Sequence, residues 1–148
     1  MTEMRPIGYV RTPYAEASEV PRGHGTKHAA EGVLEVLPDY AEGLLDVEGF
    51  SHLYVIWVFD RAAGFELLGI PPTDDRPHGV FATRSPRRPN PIGLTVVELR
   101  RREGPRLHVR GVDMRDGTPV LDIKPYLSSV PEPQLRRGWL AEAEARRK

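Results

Sequence analysis

Apolar and polar residues alternate over short stretches of this chain, a pattern typical of β-strands with one buried face. The most apolar stretch, residues 52–59, is short and rich in β-branched and aromatic side chains. It predicts a strand buried on both faces at the centre of the core. The same criteria predict further short strands at residues 7–12, 32–37, 80–84, 94–101, 107–112 and 120–123.

Helical patterns are scarce in comparison. A short helix is predicted over residues 38–45, with Asp39 as its N-cap and Gly49 closing the segment. A second is predicted near the C-terminus, over about residues 132–147, where Leu135 and Trp139 are spaced i, i+4 and the last turn is basic. Residues 13–31 and 64–79 are predicted to be long irregular connections.

Six or seven short strands with few crossover helices predict a mainly β, antiparallel fold that closes into a barrel or packs as a sandwich. A doubly wound parallel fold would need crossover helices that the pattern lacks. Gly23-His24-Gly25 is no dinucleotide-binding signal either, because it follows no strand and lacks the third glycine. We find no internal repeat and no separate second domain. Residues 1–148 are therefore expected to form a single domain.

Composition narrows the class of protein. The chain has 39% hydrophobic and 28% charged residues, and no apolar run approaches the roughly 18 residues of a membrane span. It has no cysteine and begins without an apolar leader, which excludes disulfides and predicts a cytoplasmic location. Lys plus Arg (21) equals Asp plus Glu (21), so a nucleic-acid partner would have to bind a local basic patch.

Residues 79–94 (GVFATRSPRRPNPIGL) are predicted to form an unusually rigid, cationic loop, here called the arginine loop. Pro86, Pro89 and Pro91 restrict the backbone, so that neighbouring side chains lose little entropy on binding. Arg84, Arg87 and Arg88 carry planar donor groups suited to phosphates, carboxylates or bases. The alternative is a surface turn whose arginines are merely solvated.

The histidines do not predict a metal site. His24 and His28 are four residues apart, but glycines flank His24 and no third ligand follows at a suitable spacing. His52 precedes the central strand and is expected to have a structural role. We therefore expect no metal.

Several motifs together resemble the TrmO-type (TsaA-like) tRNA methyltransferase family. They are Pro21-Arg22, residues 49–53 (GFSHL), 79–85 (GVFATRS), 88–93 (RPNPIG), Val112-Asp113 and 116–126 (DGTPVLDIKPY). The resemblance covers roughly residues 5–127. It implies a small antiparallel β-barrel that is neither Rossmann-like nor knotted. It also implies a homodimer with S-adenosylmethionine sites near the subunit interface, and N6-methylation of threonylcarbamoyladenosine next to the anticodon of tRNA.

Carried over by position, the resemblance implies a set of cofactor-binding residues. They are Pro21, Arg22, Gly23, Asp60, Arg61, Arg84, Leu94, Arg110, Gly111, Val112 and Asp113. The side chains suit the ligand, since a carboxylate such as Asp113 can bind a ribose diol and an arginine can bind a carboxylate. The chain differs from many members of the family at Gly23 and Asp60, where those carry glutamine and histidine.

The segment Asp122-Ile-Lys-Pro-Tyr126 places a carboxylate, an ammonium and a phenol on one side of an extended chain. We predict that Asp122, Lys124 and Tyr126 shape the acceptor pocket. Asp122, or Tyr126 made more acidic by Lys124, is predicted to accept the proton of the acceptor nitrogen, and Asn90 to bind the edge of the base. The alternative is an Asp122–Lys124 ion pair with Tyr126 packed beneath it. The arginine loop and this segment are expected to converge around one cavity.

Two functions remain open from the sequence. The first is an S-adenosylmethionine-dependent methyltransferase that acts on tRNA, with Arg87 and Arg88 at the anticodon arm. The second is a module that binds S-adenosylmethionine or RNA without catalysis, or a methyltransferase that acts on a small metabolite. The neutral net charge and the short C-terminal region favour the second.

Overall fold

A computed structural model describes residues 2–20, 29–127 and 129–147. The chain divides into two compact units, Met1–Asp60 with Ile92–Tyr126, and Arg61–Pro91 with Leu127–Lys148. The prediction of a single domain over residues 1–148 stays a prediction. The strands are β1 (Gly8–Arg11), β2 (Glu31–Val36), β3 (His52–Val58), β4 (Leu68–Gly69), β5 (His78–Gly79), β6 (Ile92–Glu103), β7 (Arg106–Arg110) and β8 (Pro119–Pro125).

The first unit is a closed antiparallel barrel with strand order β1-β2-β7-β6-β3-β8. Pairing of Gly8 with Val120 closes it between β1 and β8. A tight turn at Gly104-Pro105 joins β6 to β7, and Gly104 has φ +56° there. The predicted mainly β barrel is confirmed, because strands that alternate buried and exposed residues bury one face when the sheet closes.

The core lies inside this barrel. Leu53 and Val55 of β3 are completely buried, and Trp57 is 6% exposed. The intervening residues of β3 are only half-buried, so the prediction that this strand is buried on both faces is wrong. In a closed barrel only inward side chains enter the core, and outward ones need a separate cover.

Two 3-10 helices, Pro38–Leu44 and Val47–Gly49, follow β2. The predicted helix over residues 38–45 is therefore present in position, but it is not an α-helix. Its N-cap residue is Leu37, without a side-chain hydrogen bond, and Pro38 occupies the first turn. Asp39 is thus not the N-cap. A further 3-10 helix, Ala17–Glu19, follows β1.

The second unit contains the two-stranded sheet β4–β5 and the C-terminal α1 (Trp139–Arg146). The strand predicted over residues 80–84 is wrong: Val80–Ala82 forms a 3-10 helix. Both the amide and the hydroxyl of Thr83 donate to the Val80 carbonyl and close this turn. In the part of the chain that is described, no helix is long and apolar enough to cross a membrane.

The predicted C-terminal helix over residues 132–147 is only partly right. A 3-10 turn at Glu132–Gln134 and α1 are separate elements, and Gly138 precedes α1 with φ +56°. Leu135 is in neither helix, so it does not share a helical face with Trp139. A left-handed glycine interrupts the helix although the hydrophobic spacing continues across it.

Candidate functional site

A chain of three side chains links β3, β6 and the loop after β7 in the first unit. The indole Nε1 of Trp57 donates to Thr95 Oγ1 at 3.0 Å, and the Thr95 hydroxyl donates to Asp113 Oδ1 at 2.6 Å. Thr95 is 2% exposed and Trp57 is 6% exposed. The Asp113 carboxylate, one of the predicted cofactor-binding groups, is therefore held by a buried hydrogen-bonded chain.

The position of the Trp57 ring depends on Gly93. Gly93 is the β6 partner of Trp57, and Thr95 lies two residues further along the same inward face. A Cβ on Gly93 would overlap the Trp57 ring, at 2.5 Å from Cζ2 and 2.7 Å from Cδ2. The ring thus crosses the bare backbone of Gly93 to reach Thr95, and it contacts the Phe59 ring at a centroid distance of 4.2 Å.

Residues 111–118 form the loop that joins β7 to β8. Gly111 has φ +98°, and the amides of Gly111 and Val112 both donate to the Ala30 carbonyl, at 2.7 and 3.2 Å. Val112 is completely buried in the core. Two of the predicted cofactor-binding residues in this loop thus differ. The Val112 side chain packs in the core, whereas Asp113 has a polar side chain that could bind a ligand.

Arg110, at the end of β7, has a buried Nε without a hydrogen-bond partner among the described residues. Its Nη1 lies 3.9 Å from Glu98 Oε1, so the guanidinium is only loosely paired. A buried N–H without an acceptor is costly unless a ligand or water supplies one. The Arg110 Nε is therefore a donor that a ligand or a water molecule could satisfy.

Asp60 follows β3 and forms a two-pronged ion pair with Arg115. The two Arg115 Nη2 contacts to Asp60 Oδ1 and Oδ2 measure 2.7 and 2.8 Å. The Arg115 side chain is 13% exposed, and its Nη1 also donates to the Asp116 carbonyl. The Asp60 carboxylate thus ties the end of β3 to the 111–118 loop, which favours a positioning role over direct contact with a ligand.

The outer face of the barrel brings together other predicted residues. Residues paired across antiparallel strands point to the same face. Leu94 pairs with Ile56, and Ile56 pairs with Asp122. The next row on this face contains Tyr54 and Lys124. Leu94 and the predicted acid-lysine pair therefore lie on one surface formed by β6, β3 and β8.

Lys124 Nζ lies 3.7 Å from Asp122 Oδ2, and both side chains are at least half exposed. The ring of Tyr126 meets Tyr54 edge-on at 5.2 Å and His52 at 6.5 Å. The expected one-sided arrangement is present, and so is the ion pair of the alternative interpretation. Asp122 also lines a mostly apolar cavity of about 300 Å³, together with Tyr40, Phe50 and Leu53.

Residues 79–91 of the arginine loop belong to the second unit, whereas residues 92–94 are part of β6 in the first unit. The two predicted RNA-binding residues of the loop have different contacts. Arg87 is half exposed and lies 2.9 Å from Glu66 Oε1. The Arg88 guanidinium instead donates to the carbonyls of Thr83 and Ser85, at 2.9 and 3.1 Å. Arg88 thus holds the loop in shape. Arg61, Arg84 and Asn90 are exposed.

Some predictions have no structural outcome. Pro21, Arg22 and Gly23 lie outside the described residues, as do His24 and His28. Convergence of the arginine loop with the segment 122–126 stays a prediction, since residues 79–91 of the loop belong to a different unit. Within the described residues no group of three or more His, Cys, Asp or Glu is placed to hold a metal ion. The expectation that the protein needs no metal stays a prediction as well.

Three residues of the site were missed from the sequence: Trp57, Thr95 and Arg115. Thr95 had a usable signal, since it alternates with Gly93 and Val97 at inward positions of a strand. A hydroxyl at a buried position requires a partner. Arg115 had no such signal, because the partner that fixes it is 55 residues away.

The sequence is similar to that of a known protein family and to several of its relatives. The model of the tRNA-methyltransferase O N-terminal domain matches residues 9–131. A probable S-adenosyl-L-methionine-binding protein of Archaeoglobus fulgidus is 46% identical over 150 aligned residues, covering 100% of this chain and 40% of the relative. The tRNA (adenine(37)-N6)-methyltransferase of Escherichia coli is 41% identical over 131 residues, covering 82% of this chain and 56% of that enzyme.

Solved structures agree with the sequence comparisons. A crystal structure of TrmO is similar with a TM-score of 0.77 and 40% identity, covering 94% of this chain and 64% of that chain. TrmO from Pseudomonas aeruginosa gives a TM-score of 0.75 and 38% identity, with 93% and 62% coverage. The chain thus spans about two fifths to two thirds of the length of these four proteins.

Proposed function

The chain belongs to the family of tRNA-methyltransferase O N-terminal domains, and on that premise we propose that it transfers a methyl group from S-adenosylmethionine to N6 of an adenosine in tRNA. More narrowly, we propose that the acceptor is N6-threonylcarbamoyladenosine next to the anticodon. The observation that most directly supports the binding of S-adenosylmethionine is the buried hydrogen-bonded chain from Trp57 through Thr95 to Asp113. It anchors a carboxylate at a position that family resemblance assigns to the cofactor.

S-adenosylmethionine supplies a methyl group made electrophilic by its sulfonium. Asp113 would accept hydrogen bonds from the hydroxyls of the ribose. Arg110, whose Nε is buried and unpaired within the described residues, would donate to the carboxylate of the methionine part. Asp60, fixed by Arg115, holds the loop that carries Asp113. The remaining predicted contacts are Pro21, Arg22, Gly23, Arg61, Arg84, Leu94, Gly111 and Val112.

Methyl transfer would be an in-line displacement in which the bond from nitrogen to methyl forms as the bond from sulfur to methyl breaks, leaving S-adenosylhomocysteine. The protein therefore has to align the acceptor nitrogen with the methyl group and exclude water. The N6 of threonylcarbamoyladenosine has a delocalised lone pair, and its proton has to leave as the new bond forms. We propose that Asp122 accepts that proton while Lys124 and Tyr126 position the acceptor. Asn90 is proposed to bind the edge of the base.

We propose that tRNA binds through its anticodon arm to the arginine loop, with Arg87 as the exposed cation and Arg88 holding the loop. A basic loop on a chain of zero net charge provides a local attraction for phosphates. We also propose that the protein acts as a homodimer in the cytoplasm, where tRNA is modified, and has no membrane among its partners.

A second candidate is supported by the names of relatives. The Archaeoglobus relative that is 42% identical over 127 residues, and of which this chain covers 91%, is named an S-adenosyl-L-methionine-binding protein. The second candidate is accordingly cofactor binding without RNA methylation, or methylation of a small metabolite. Both candidates share the same cofactor site.

One experiment separates these functions. Calorimetry with S-adenosylmethionine is followed by methyl transfer to two tRNA preparations, one with and one without the threonylcarbamoyl group. We expect the protein to bind the cofactor and to methylate only the modified tRNA. The reason is that the threonylcarbamoyl group is proposed to occupy the acceptor pocket formed by Asp122, Lys124 and Tyr126. Transfer to neither tRNA despite cofactor binding supports the second candidate. Absence of binding at millimolar cofactor would refute both.

Substitution of Arg87 by alanine is expected to weaken tRNA binding in a salt-dependent way. Loss of one phosphate contact reduces the slope of log K against log salt concentration by about 1, largely independently of sequence. Arg106→Ala is the matched control, because Arg106 is also a well-exposed arginine that is paired with a glutamate. Filter binding over 50–200 mM salt measures both. Equal slopes for the two variants would place the RNA elsewhere.

A further inference from the structure

We propose that Thr95 and Trp57 are positioning residues that orient the Asp113 carboxylate toward the ribose hydroxyls of S-adenosylmethionine, an inference that rests on the function proposed above. Neither residue is among the positions that family resemblance assigns to the cofactor. Both act through Asp113, and neither has to touch the ligand.

The direction of each hydrogen bond in this chain is fixed by chemistry. An indole N–H can only donate, so Thr95 Oγ1 accepts from Trp57 at 3.0 Å. An ionised carboxylate can only accept, so the Thr95 proton points to Asp113 Oδ1. The separation of 2.6 Å lies in the range of hydrogen bonds from a hydroxyl to a charged oxygen. The Thr95 hydroxyl therefore has a single orientation.

The donor end of the chain is rigid. Trp57 is 6% exposed, its ring lies against the backbone of Gly93, and Phe59 contacts it at 4.2 Å. Thr95 is 2% exposed on a strand in the middle of the barrel sheet, between β3 and β7. A carboxylate tied to such a support is held in one rotamer before a ligand arrives.

Preorganisation matters for a diol. Two adjacent ribose hydroxyls donate well to a carboxylate only when they lie near its plane, where the oxygen lone pairs point, and an aspartate free to rotate loses that geometry. A hydrogen bond that serves the fold alone would not distinguish ligands with and without ribose hydroxyls. The two interpretations thus differ in a measurable selectivity.

The experiment compares the affinities of S-adenosylhomocysteine and of its 2′,3′-dideoxyribose analogue by calorimetry. The variants are Thr95→Val, which removes the hydroxyl at constant shape, and Thr95→Ser, which keeps it. Thr118→Val is the matched control: Thr118 is also 2% exposed, but its hydroxyl donates to the Arg115 carbonyl and not to a carboxylate. Trp57→Phe tests the same chain from its other end and serves if Thr95→Val does not fold.

We expect Thr95→Val to bind S-adenosylhomocysteine about tenfold more weakly or worse, as for a lost hydrogen bond to a charged group. Thr95→Ser and Thr118→Val are expected to stay within about threefold of the parent protein. For the dideoxy analogue, Thr95→Val and the parent are expected to bind alike. Trp57→Phe is expected to show the same selectivity for the ribose ligand.

Other results overturn the inference. Unchanged affinity in Thr95→Val would show that the chain does not orient Asp113, while the proposed function would stand. An equal loss for both ligands would assign Thr95 and Trp57 a structural role only. Absence of binding by the parent protein at millimolar ligand would refute the proposed function itself, and the inference with it.

Discussion

A chain carrying Gly93→Ala is expected to lose about 2–4 kcal/mol of unfolding free energy, from overpacking and a broken buried hydrogen bond. The added methyl group would lie 2.5 Å from Cζ2 of the Trp57 ring, well inside contact distance. Phe59 contacts the same ring at 4.2 Å and leaves it little room to move. Displacing the ring would also break its hydrogen bond to Thr95.

Chemical denaturation monitored by circular dichroism measures this loss. Gly43→Ala is the matched control, because a Cβ at Gly43 would have no atom within 4 Å. It is expected to change stability by less than about 0.5 kcal/mol. A Gly93→Ala protein as stable as the Gly43→Ala protein would show that the Trp57 ring is not confined, and would remove the support for a rigid donor chain.

Acid is expected to weaken the second unit through Asp74. In the second unit, Asp74 accepts hydrogen bonds from His78 and Arg146, both at 2.6 Å, and from the Asp75 amide. These contacts, with His78 the largest, hold the pKa of the Asp74 carboxyl well below its ordinary value of 3.8. A carboxyl group whose pKa is lower in the folded than in the unfolded protein stabilises the fold at pH values above its unfolded-state pKa. This stabilisation is lost as the pH falls toward the folded-state pKa.

Asp74→Asn is therefore expected to be less stable than the parent protein near neutral pH. The difference should shrink as pH falls below about 4, where the parent begins to lose the contribution of the ionised carboxylate. Denaturant unfolding at a series of pH values measures both effects. Asp75→Asn is the control, because the Asp75 side chain is 86% exposed. Identical pH profiles for Asp74→Asn and the parent would contradict the prediction.

The same contacts explain how α1 is attached within its unit. Arg146 reaches Asp74, the Trp139 ring stacks on His78 at 4.1 Å, and Trp139 Nε1 donates to the Ala82 carbonyl. Each contact joins the C-terminal segment to residues more than 55 positions earlier in the chain. Substitution of Asp74 is thus expected to weaken the attachment of α1 as well as the loop between β4 and β5 that contains Asp74.

The strands were predictable because successive side chains of a strand point to opposite faces of the sheet. Apolar residues that alternate in the sequence therefore become the buried side chains of the structure. Residues 32–37 and 94–101 alternate, and all of them except Leu37 lie in β2 and β6 with one face inward. Prediction failed where contacts distant in sequence decide the backbone. The amide of Val80 donates to the Leu67 carbonyl, and residues 80–82 turn although they read as a strand.

The candidate site was predictable in part. The resemblance implied a role for Asp113, and alternation placed Asp122 and Lys124 on one side. The partners of these residues were not predictable, because a hydrogen bond between Thr95 and Asp113 depends on how the loop after β7 folds over the barrel interior. The ion pair of Asp60 with Arg115 depends on the same loop.

The sequence by itself determined the β class and the family, since periodicity and motifs are local properties of the chain; the rigidity that the prolines predict for the arginine loop stays a prediction. Only the tertiary structure decided that the buried Thr95 hydroxyl serves Asp113, that Asp60 is occupied by Arg115, and that Arg88 supports its own loop. The reason is physical: the orientation of a polar side chain is set by the donors and acceptors that folding brings near it, and those come from distant parts of the chain.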